Sequence, residues 1–449
     1  MKKVKRRSFS ILLLVLLAMA CMVIFLFRLV ADGNAWVTFP SNQNVFSGGL
    51  LAMGSVYDRN DIPLAETRDG VFRLNDNPEI RRATLHVLGD RRGSIGTGAL
   101  TFYADKLIGY NLVNGVYSFD GNGGSLTLTV DAELSRVAYL ALAGRHGSVV
   151  VLNYETGEIL TSVSAPTFDP LNPPDVIEGD PRFNGIFLNR GFSSAFVPGS
   201  IFKVATAAAA LDTFADAATR QYVCQGVHMV DGSRVTCLGN HGSISMERAL
   251  GVSCNIYFAK LALDLGGMPL ARYMEQFGLT TAHNVDGIRI APGNFVAAET
   301  NTPALAWSGV GQSENLTNPL SMARFMGAVA NGGVPVEPRI LESTGSLIPR
   351  RNEPVIGEPI MPAFAANELA MMLRSIVPVH YPGRFPGLSV AGKTGTAEVG
   401  QGLGTHAWFA GFLDDPNHPY AFVVLVEHGG GGLAVAGAVA NTVLQAAVG

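Results

Sequence analysis

Ser200 and Lys203 stand three residues apart in an apolar run, FVPGSIFKVATAAAA (residues 196–210). On a helix, this spacing places both side chains on one face, one turn apart. A serine hydroxyl becomes a good nucleophile when a base takes its proton, and lysine is such a base only when neutral. Burial in an apolar helix disfavours the charged form of lysine, whereas arginine does not deprotonate in proteins. The pair therefore predicts Ser200 as a nucleophile and Lys203 as its base.

Lysine is scarce in this chain, so the positions where it occurs are informative. Of the 32 basic residues only seven are lysines, and three of those lie in the first five residues. Another begins the run Lys393-Thr394-Gly395-Thr396, which has the texture of a strand. A cation and two hydroxyls would suit the carboxylate of an extended substrate, and Gly395 would allow its close approach. The ordinary alternatives are a lysine reaching solvent at 203 and a plain strand at 393–396.

A third motif, Ser-x-Asn, occurs twice, as Ser253-Cys254-Asn255 and as Ser313-Glu314-Asn315. In either copy the hydroxyl would relay a proton and the amide would hold a substrate. A helix cap or a turn is the ordinary alternative for each copy.

Taken in order, the three motifs resemble the set shared by penicillin-binding proteins and class A β-lactamases. The stretches PGSIFK, HGSISMERALGVSCNIYFAK and AGKTGTAE make residues 146–449 similar to the transpeptidase domain of class B penicillin-binding proteins. The setting of Ser253 matches that family, whereas GQSEN around Ser313 departs from the more usual GQG. The resemblance therefore favours Ser253 and Asn255 over Ser313 and Asn315.

The resemblance also implies a role for each residue. Ser200 would be the acylated nucleophile, Lys203 its base, and Ser253 the relay of the proton to the leaving amine, with Lys393 nearby. Asn255 would hold the peptide side of the substrate, and Thr394 and Thr396, on either side of Gly395, would bind its terminal carboxylate. Backbone N–H groups of Ser200 and Thr396 would form the oxyanion hole.

The activity implied is that of a D,D-transpeptidase, which cross-links peptidoglycan stem peptides ending in D-Ala-D-Ala and is acylated by β-lactams. A D,D-carboxypeptidase of the same fold is an alternative that the motifs separate poorly. A β-lactamase is disfavoured because no Glu-x-x-Leu-Asn occurs, and a β-lactam sensor because several spans and an HExxH protease are absent. The roughly 115 residues before the catalytic region leave no room for a glycosyltransferase, so a polytopic membrane glycan polymerase is the implied partner.

The N-terminus predicts a membrane anchor. Residues 1–8 are basic, and 9–27 are nineteen residues without a charge, which is long enough to span a bilayer as a helix. We expect a cytoplasmic tail at 1–8, a single span at 9–30 and an extracytoplasmic catalytic domain. A cleaved signal peptide is the alternative. The exported part has 26 basic and 36 acidic residues, a balance that argues against nucleic-acid binding.

Four cysteines are few for an exported chain. Cys224 and Cys237 flank a glycine-containing turn and predict a disulfide in an oxidising compartment, with two free thiols as the alternative. Their spacing fits no zinc pattern and no HExxH is present, so we predict neither a metal nor a cofactor.

The order of the elements indicates how these residues would be brought together. A hairpin pattern at 146–165 and three strand patterns after 388 predict one antiparallel sheet covered by helices, with a mostly helical subdomain between them. Residues 31–145 predict a smaller, mixed, membrane-proximal domain of pedestal or dimerisation type, and 146–449 the transpeptidase domain. The fold class predicted is therefore α+β, with distant segments meeting at one site.

Overall fold

The computed structural model describes residues 2–37, 54–69, 71–108, 123–299, 301–345, 350–400 and 404–449. The strands are β1 (Ser55–Tyr57), β2 (Pro63–Arg68), β3 (Val71–Leu74), β4 (Ser125–Leu128), β5 (Gly147–Asn153), β6 (Ile159–Ala165), β7 (Tyr222–Cys224), β8 (Val227–Val230), β9 (Ser233–Thr236), β10 (Gly242–Ile244), β11 (Asn284–Val285), β12 (Ile288–Arg289), β13 (Leu341–Gly345), β14 (Arg350–Arg351), β15 (Val390–Ala397), β16 (His406–Leu413) and β17 (Tyr420–Val426).

The α-helices are α1 (Lys2–Val37), α2 (Pro78–Leu88), α3 (Ala99–Phe102), α4 (Ala104–Ile108), α5 (Ala132–Leu142), α6 (Arg190–Ser193), α7 (Lys203–Thr213), α8 (Met246–Gly251), α9 (Asn255–Leu265), α10 (Gly267–Gln276), α11 (Pro303–Val310), α12 (Pro319–Ala330), α13 (Ala363–His380) and α14 (Ala438–Val448). Short 3₁₀ segments cover Pro181–Phe183 and Gly199–Phe202, and a π-helical turn covers Leu433–Gly437.

The part of the chain after residue 146 is built on a five-stranded antiparallel sheet in the order β15-β16-β17-β5-β6. Valine-rich sequences in β5 and β17 suit central strands, because β-branched side chains pack well on a pleated surface. Every residue of β16 is buried, so both faces of the sheet are covered. Helices α5 and α14 pack on one face, and α12 and α13 pack on the other.

The α+β prediction, an antiparallel sheet covered by helices, is confirmed. The sheet joins a hairpin near residue 150 to three strands after residue 389, as the strand patterns indicated. Between these two parts lie α6 to α13 and, among the described residues, three short two-stranded pairs: β7 with β10, β8 with β9, and β11 with β12. They form the helical subdomain. The site residues at 200, 253 and 393 therefore come from segments far apart in sequence.

A second sheet, of six strands in the order β14-β13-β4-β1-β2-β3, lies in the membrane-proximal part of the sequence. Four of its strands precede residue 145, while β13 and β14 come from 341–351. Strand β13 pairs with β4 in antiparallel register, for example Ser343 with Thr127. The sheet thus takes strands from both sides of the boundary predicted at 145/146, and that boundary stays a prediction.

Helix α1 contains a segment, Val4–Leu29, that is long and apolar enough to cross a membrane. Its mean hydropathy reaches 3.0 and none of its apolar window is buried against the protein. Exposed leucine, isoleucine and phenylalanine along a whole helix are stable in lipid and not in water. One N-terminal apolar helix is therefore present, at the place predicted for the anchor.

Candidate functional site

Ser200 lies in the 3₁₀ turn Gly199–Phe202, which runs directly into α7 at Lys203. The turn needs glycine at its start, because Gly199 has φ of +56° and an added Cβ would lie 2.8 Å from the Thr396 carbonyl oxygen. The Ser200 side chain is partly exposed, whereas Lys203 is fully buried. The sequence spacing therefore yields an accessible hydroxyl followed, at the next turn, by a lysine shielded from water.

Lys203 Nζ is surrounded by acceptors from one segment of the chain. It donates to the Ser253 carbonyl oxygen at 2.7 Å, to Ser253 Oγ at 3.1 Å and to Asn255 Oδ1 at 2.8 Å. None of these three bonds goes to the hydroxyl of Ser200. Burial lowers the pKa of Lys203 from its usual 10.5 to about 7, so a large fraction of this lysine is neutral near neutral pH.

The two copies of Ser-x-Asn occupy different environments. Ser253 sits between α8 and α9 with φ of +56°, an unusual conformation for a residue other than glycine, and Asn255 begins α9. Asn255 Nδ2 donates to the Thr236 carbonyl at 2.9 Å, which leaves its Oδ1 for Lys203. In the second copy Asn315 is fully buried and donates to the Ser308 carbonyl at 2.8 Å. The structure thus brings Ser253 and Asn255 to Lys203.

Strand β15 supplies the third motif. Lys393 is fully buried and donates to the Thr394 carbonyl at 2.9 Å, and burial together with the charge of Lys203 holds its pKa well below the usual value. Thr394 Oγ1 is 2.9 Å from the Tyr381 hydroxyl, and Thr396 is exposed. The motif therefore offers one exposed hydroxyl, one half-buried hydroxyl and a buried lysine.

Glycines set the distance between β15 and the turn that carries Ser200. A Cβ added to Gly395 would lie 3.0 Å from both Ile201 Cγ2 and the Pro198 carbonyl oxygen. On the other side of the turn, Gly311 of the GQSEN loop accepts a hydrogen bond from Gly199 N–H at 2.9 Å. The departure from GQG leaves this contact in place, because it uses the backbone of the first glycine.

Strand β15 is the outermost strand of its sheet, so no strand among the described residues pairs with its outer edge. An exposed edge carries unpaired N–H and C=O groups and accepts an extended peptide as an added strand. Such a peptide would run past the Ser200 hydroxyl, with Thr394 and Thr396 along its length. This arrangement suits a linear peptide substrate better than a compact one.

The cysteines form a group that the sequence analysis did not find. Cys224, Cys237, His241 and Cys254 each place one potential ligand atom within 4.8 Å of all the others. The sulfurs of Cys224 and Cys237 are free in this structure, and the disulfide between them stays a prediction. The sequence did not indicate Cys254 as a ligand because it lies inside the motif Ser253-Cys254-Asn255. It did not indicate His241 because the spacing of His241 from the cysteines matches no common zinc motif. Three cysteines and a histidine within 31 residues were the available signal.

Comparison with known proteins agrees with this geometry. Residues 147–445 match the family described as the penicillin binding protein transpeptidase domain. The chain is 29% identical over 364 residues to the peptidoglycan D,D-transpeptidase PbpA of Mycolicibacterium smegmatis, covering 74% of this chain and 73% of that one. It is also 29% identical over 347 residues to the peptidoglycan D,D-transpeptidase MrdA of Acinetobacter baumannii, covering 68% of this chain and 51% of MrdA.

Solved structures give the same result for the fold. The crystal structure of PBPA from Mycobacterium tuberculosis superposes with a TM-score of 0.77 at 25% identity, covering 89% of this chain and all of that one. That protein has also been solved as acyl-enzyme complexes with ceftriaxone and with penicillin G.

Proposed function

The chain belongs to the penicillin-binding protein transpeptidase family and is a peptidoglycan D,D-transpeptidase, and we propose that Ser200 is the residue it acylates. The observation that carries the proposal is the position of Lys203. Lys203 is fully buried and begins α7, one turn after Ser200. Its side-chain nitrogen hydrogen-bonds Ser253 and Asn255. A buried lysine placed among hydroxyls and amides, with no carboxylate in contact, is suited to exchanging protons.

In the acylation step, the Ser200 Oγ attacks the carbonyl carbon of the penultimate D-Ala, and neutral Lys203 takes the hydroxyl proton. The negative charge that develops on the carbonyl oxygen is stabilised by the backbone N–H groups of Ser200 and Thr396. The C–N bond then breaks and the terminal D-Ala leaves. Its nitrogen receives a proton from Ser253, which regains one from Lys203 across their 3.1 Å contact.

Substrate binding uses the edge of β15. The donor peptide lies along this edge as an extra strand, with its terminal carboxylate on the hydroxyls of Thr394 and Thr396 and near the cation of Lys393. Asn255 holds the peptide on the opposite side. A carboxylate arriving beside buried Lys393 favours the protonated lysine, so binding and charging of this residue support each other.

In the second step an amine on a neighbouring stem peptide attacks the acyl-enzyme and takes the place of the released D-Ala. As the new amide forms, the amine passes a proton through Ser253 to neutral Lys203, and when the ester bond to Ser200 breaks Lys203 returns a proton to Ser200 Oγ. β-Lactams react as substrate analogues whose leaving group stays attached. We propose that the catalytic domain is extracytoplasmic behind the single span of α1, and that a separate polytopic membrane polymerase supplies the glycan strands.

The proposal is tested with the full-length chain purified in detergent. It is incubated with a stem pentapeptide ending in D-Ala-D-Ala, with and without an acceptor amine, and the products are separated by mass spectrometry. We expect release of D-Ala together with a cross-linked product that requires the acceptor. Release of D-Ala without cross-linking in the presence of acceptor would indicate a carboxypeptidase.

The acylated residue is identified in parallel with a fluorescent penicillin and peptide mapping. We expect the label on Ser200 and none in Ser200→Ala. A label on any other residue of the parent protein would refute the assignment of Ser200. Rapid turnover of penicillin, rather than one stable adduct per chain, would instead indicate a β-lactamase.

A further inference from the structure

We propose that Cys224, Cys237, His241 and Cys254 form a tetrahedral zinc site. The site goes beyond the transpeptidase activity and reverses the expectation of no metal. It does not depend on the proposed function, since metal binding is measured without substrate. Four ligand atoms from four separate segments converge, and each of these residues is buried or half-buried.

Each ligand is delivered by a different element of the helical subdomain. Cys224 ends β7, Cys237 follows β9, His241 immediately precedes β10, and Cys254 caps the N-terminus of α9. Strands β7 and β10 pair with each other, with Cys224 opposite Gly242. Cys224 and His241 are therefore brought together by the strand pairing, and the other two sulfurs meet them from outside this ribbon.

Three of the six distances among the ligand atoms match the edges of a zinc tetrahedron, and the other three are within 4.8 Å. His241 Nδ1 lies 3.5 Å from Cys224 Sγ and 3.6 Å from Cys237 Sγ, and the sulfurs of Cys237 and Cys254 are 3.9 Å apart. With Zn–S bonds of about 2.3 Å and Zn–N bonds of about 2.0–2.1 Å, a tetrahedral site has S–N edges of about 3.5 Å and S–S edges of about 3.8 Å. Little movement is needed to close the group around one ion.

Two backbone N–H groups are already directed at the sulfurs. Asn255 N–H donates to Cys237 Sγ and Tyr257 N–H donates to Cys254 Sγ, both at 3.4 Å. Such donors stabilise a thiolate, the form in which cysteine binds a metal. Cys224 would give up its 3.4 Å hydrogen bond to the Gly239 carbonyl when it loses its proton.

The ligand types select the metal and its role. Thiolates and an imidazole nitrogen in tetrahedral geometry favour Zn²⁺ over Mg²⁺ or Ca²⁺, which prefer oxygen ligands. Four protein ligands leave no open position for water or substrate, which is the mark of a structural site rather than a catalytic one. A disulfide between any two of the three cysteines would leave the third without a partner and remove the site.

The ion would hold the segment that serves Lys203. Cys254 lies between Ser253 and Asn255, both of which hydrogen-bond Lys203 Nζ. Ser253 has φ of +56°, a conformation that persists only when the surroundings enforce it. Coordination of Cys254, with Cys237 accepting from Asn255 N–H, would enforce it. The site is thus a positioning device for the second motif and makes no contact with substrate.

The first experiment measures metal in the full-length chain purified in detergent without chelators, by inductively coupled plasma mass spectrometry. We expect about one zinc ion per chain. Cys237→Ser and His241→Ala should each fall below about 0.1 ion per chain, while Cys21→Ser, which removes the cysteine of α1 far from the group, should keep the full amount. Replacing zinc by Co²⁺ should give the thiolate charge-transfer and visible bands of a tetrahedral site.

The second experiment avoids variants that fail to fold. Wild-type chain is treated with a chelator, and its melting temperature and rate of labelling by fluorescent penicillin are measured before and after Zn²⁺ is restored. We expect the chelator to lower the melting temperature and to slow labelling at least tenfold. Both quantities should recover when Zn²⁺ is added but not when Mg²⁺ is added.

Three results would overturn the site. One is absence of zinc in wild-type chain even after incubation with Zn²⁺. Another is equal zinc content in Cys237→Ser and the parent. The third is an intact mass lower by two hydrogen atoms with Cys224, Cys237 or Cys254 joined in a disulfide.

Discussion

Burial of two lysines is the residue-scale feature that distinguishes this site. Lys203 and Lys393 are both fully buried, and burial together with the charge of Lys203 lowers the pKa of Lys393. Burying an ammonium group without a carboxylate partner is costly, and the cost is reduced when the group becomes neutral. The same burial that shields Lys203 from water thus favours the neutral amine that the proposed mechanism requires.

Lys203→Arg separates a catalytic lysine from a structural one. Arginine keeps the positive charge and a long apolar stem but does not accept a proton. We expect acylation by fluorescent penicillin to slow by about 10²–10⁴-fold, the usual contribution of a general base. The labelling reaction is quenched at timed points and the acylated protein is quantified by in-gel fluorescence. The variant is compared with the parent only if their melting temperatures are close.

Lys106→Arg is the matched control, because Lys106 is a partly exposed lysine that pairs with Asp105 on the membrane-proximal side. Its acylation rate should stay within about twofold of the parent. Near-parental acylation of Lys203→Arg would mean that Lys203 is structural and that another group is the base.

Close packing of β15 against the turn that carries Ser200 dominates at the scale of elements. Gly395 permits this approach, and Trp408 of the neighbouring strand β16 fastens the preceding residues by donating to the Val197 carbonyl at 2.9 Å. The distance between Ser200 and the hydroxyls of β15 therefore depends on the absence of a side chain at Gly395.

Gly395→Ala tests this contact. The added methyl group would lie 3.0 Å from Ile201 Cγ2 and from the Pro198 carbonyl, so strand and turn must separate by a few tenths of an ångström. We expect a loss of about 1–3 kcal/mol in the free energy of unfolding, typical of overpacking, and slower acylation by at least tenfold. Gly96→Ala adds the same methyl where nothing lies within 4 Å and should change neither quantity. Equal effects of the two substitutions would refute the steric explanation.

Helix α2 is joined to the catalytic half through a buried histidine. His86 donates from Nε2 to the Ile186 carbonyl at 2.8 Å, while its buried Nδ1 has no hydrogen-bond partner among the described residues. Burial lowers the pKa of His86 to about 4, since a second proton would be placed on an unpartnered nitrogen. Burial also lowers the pKa of His406, in β16, to about 4.

Stability should therefore decrease in mild acid. The folded-state pKa lies below the unfolded value of about 6.5, so the unfolded chain binds more protons as the pH falls below 6.5. His86 alone should remove about 3 kcal/mol of unfolding free energy between neutral pH and pH 4. Denaturant unfolding at several pH values should show this slope, and His86→Gln, which keeps an N–H donor but does not titrate, should reduce it by about half. An unchanged slope in His86→Gln would exclude His86 as its source.

At the scale of the whole molecule, one apolar helix and one acidic catalytic domain define the layout. Basic residues cluster at 2–7, at the N-terminal end of the apolar segment Val4–Leu29, and the acidic excess lies beyond this segment. Because positively charged flanks are retained on the cytoplasmic side, we predict that the residues after this helix lie outside the cytoplasm. Helix α2 is attached to the later part of the chain through Arg81, which makes a two-pronged ion pair with Asp169 at 2.6 and 2.8 Å.

Protease protection tests this topology. Protease added to intact spheroplasts should digest the catalytic domain, detected by loss of fluorescent-penicillin labelling at full length. A cytoplasmic protein followed in the same sample should stay intact until detergent is added. Full protection of the catalytic domain in intact spheroplasts would place it inside the cell and contradict the orientation.

The sequence by itself determined the features that depend on local spacing. The alternation in 146–165 and in the strands after 388 determined the antiparallel sheet, because side chains of a strand alternate between faces with a period of two. The spacing of Ser200 and Lys203 placed the lysine one turn after the serine, and the length of the apolar run determined a helix long enough to cross a membrane. Order and spacing of the three motifs also sufficed to predict the family and its nucleophile.

Only the tertiary structure decided which distant residues meet. It placed Lys203 on Ser253 and Asn255 instead of Asn315, added β13 and β14 to the membrane-proximal sheet, and gathered Cys254 and His241 with Cys224 and Cys237. These contacts join segments whose separation in the chain carries no periodic signal. They arise from the close packing of helices on both faces of the sheet, which brings the loops between those helices together. Such packing depends on the whole fold and not on a local sequence pattern.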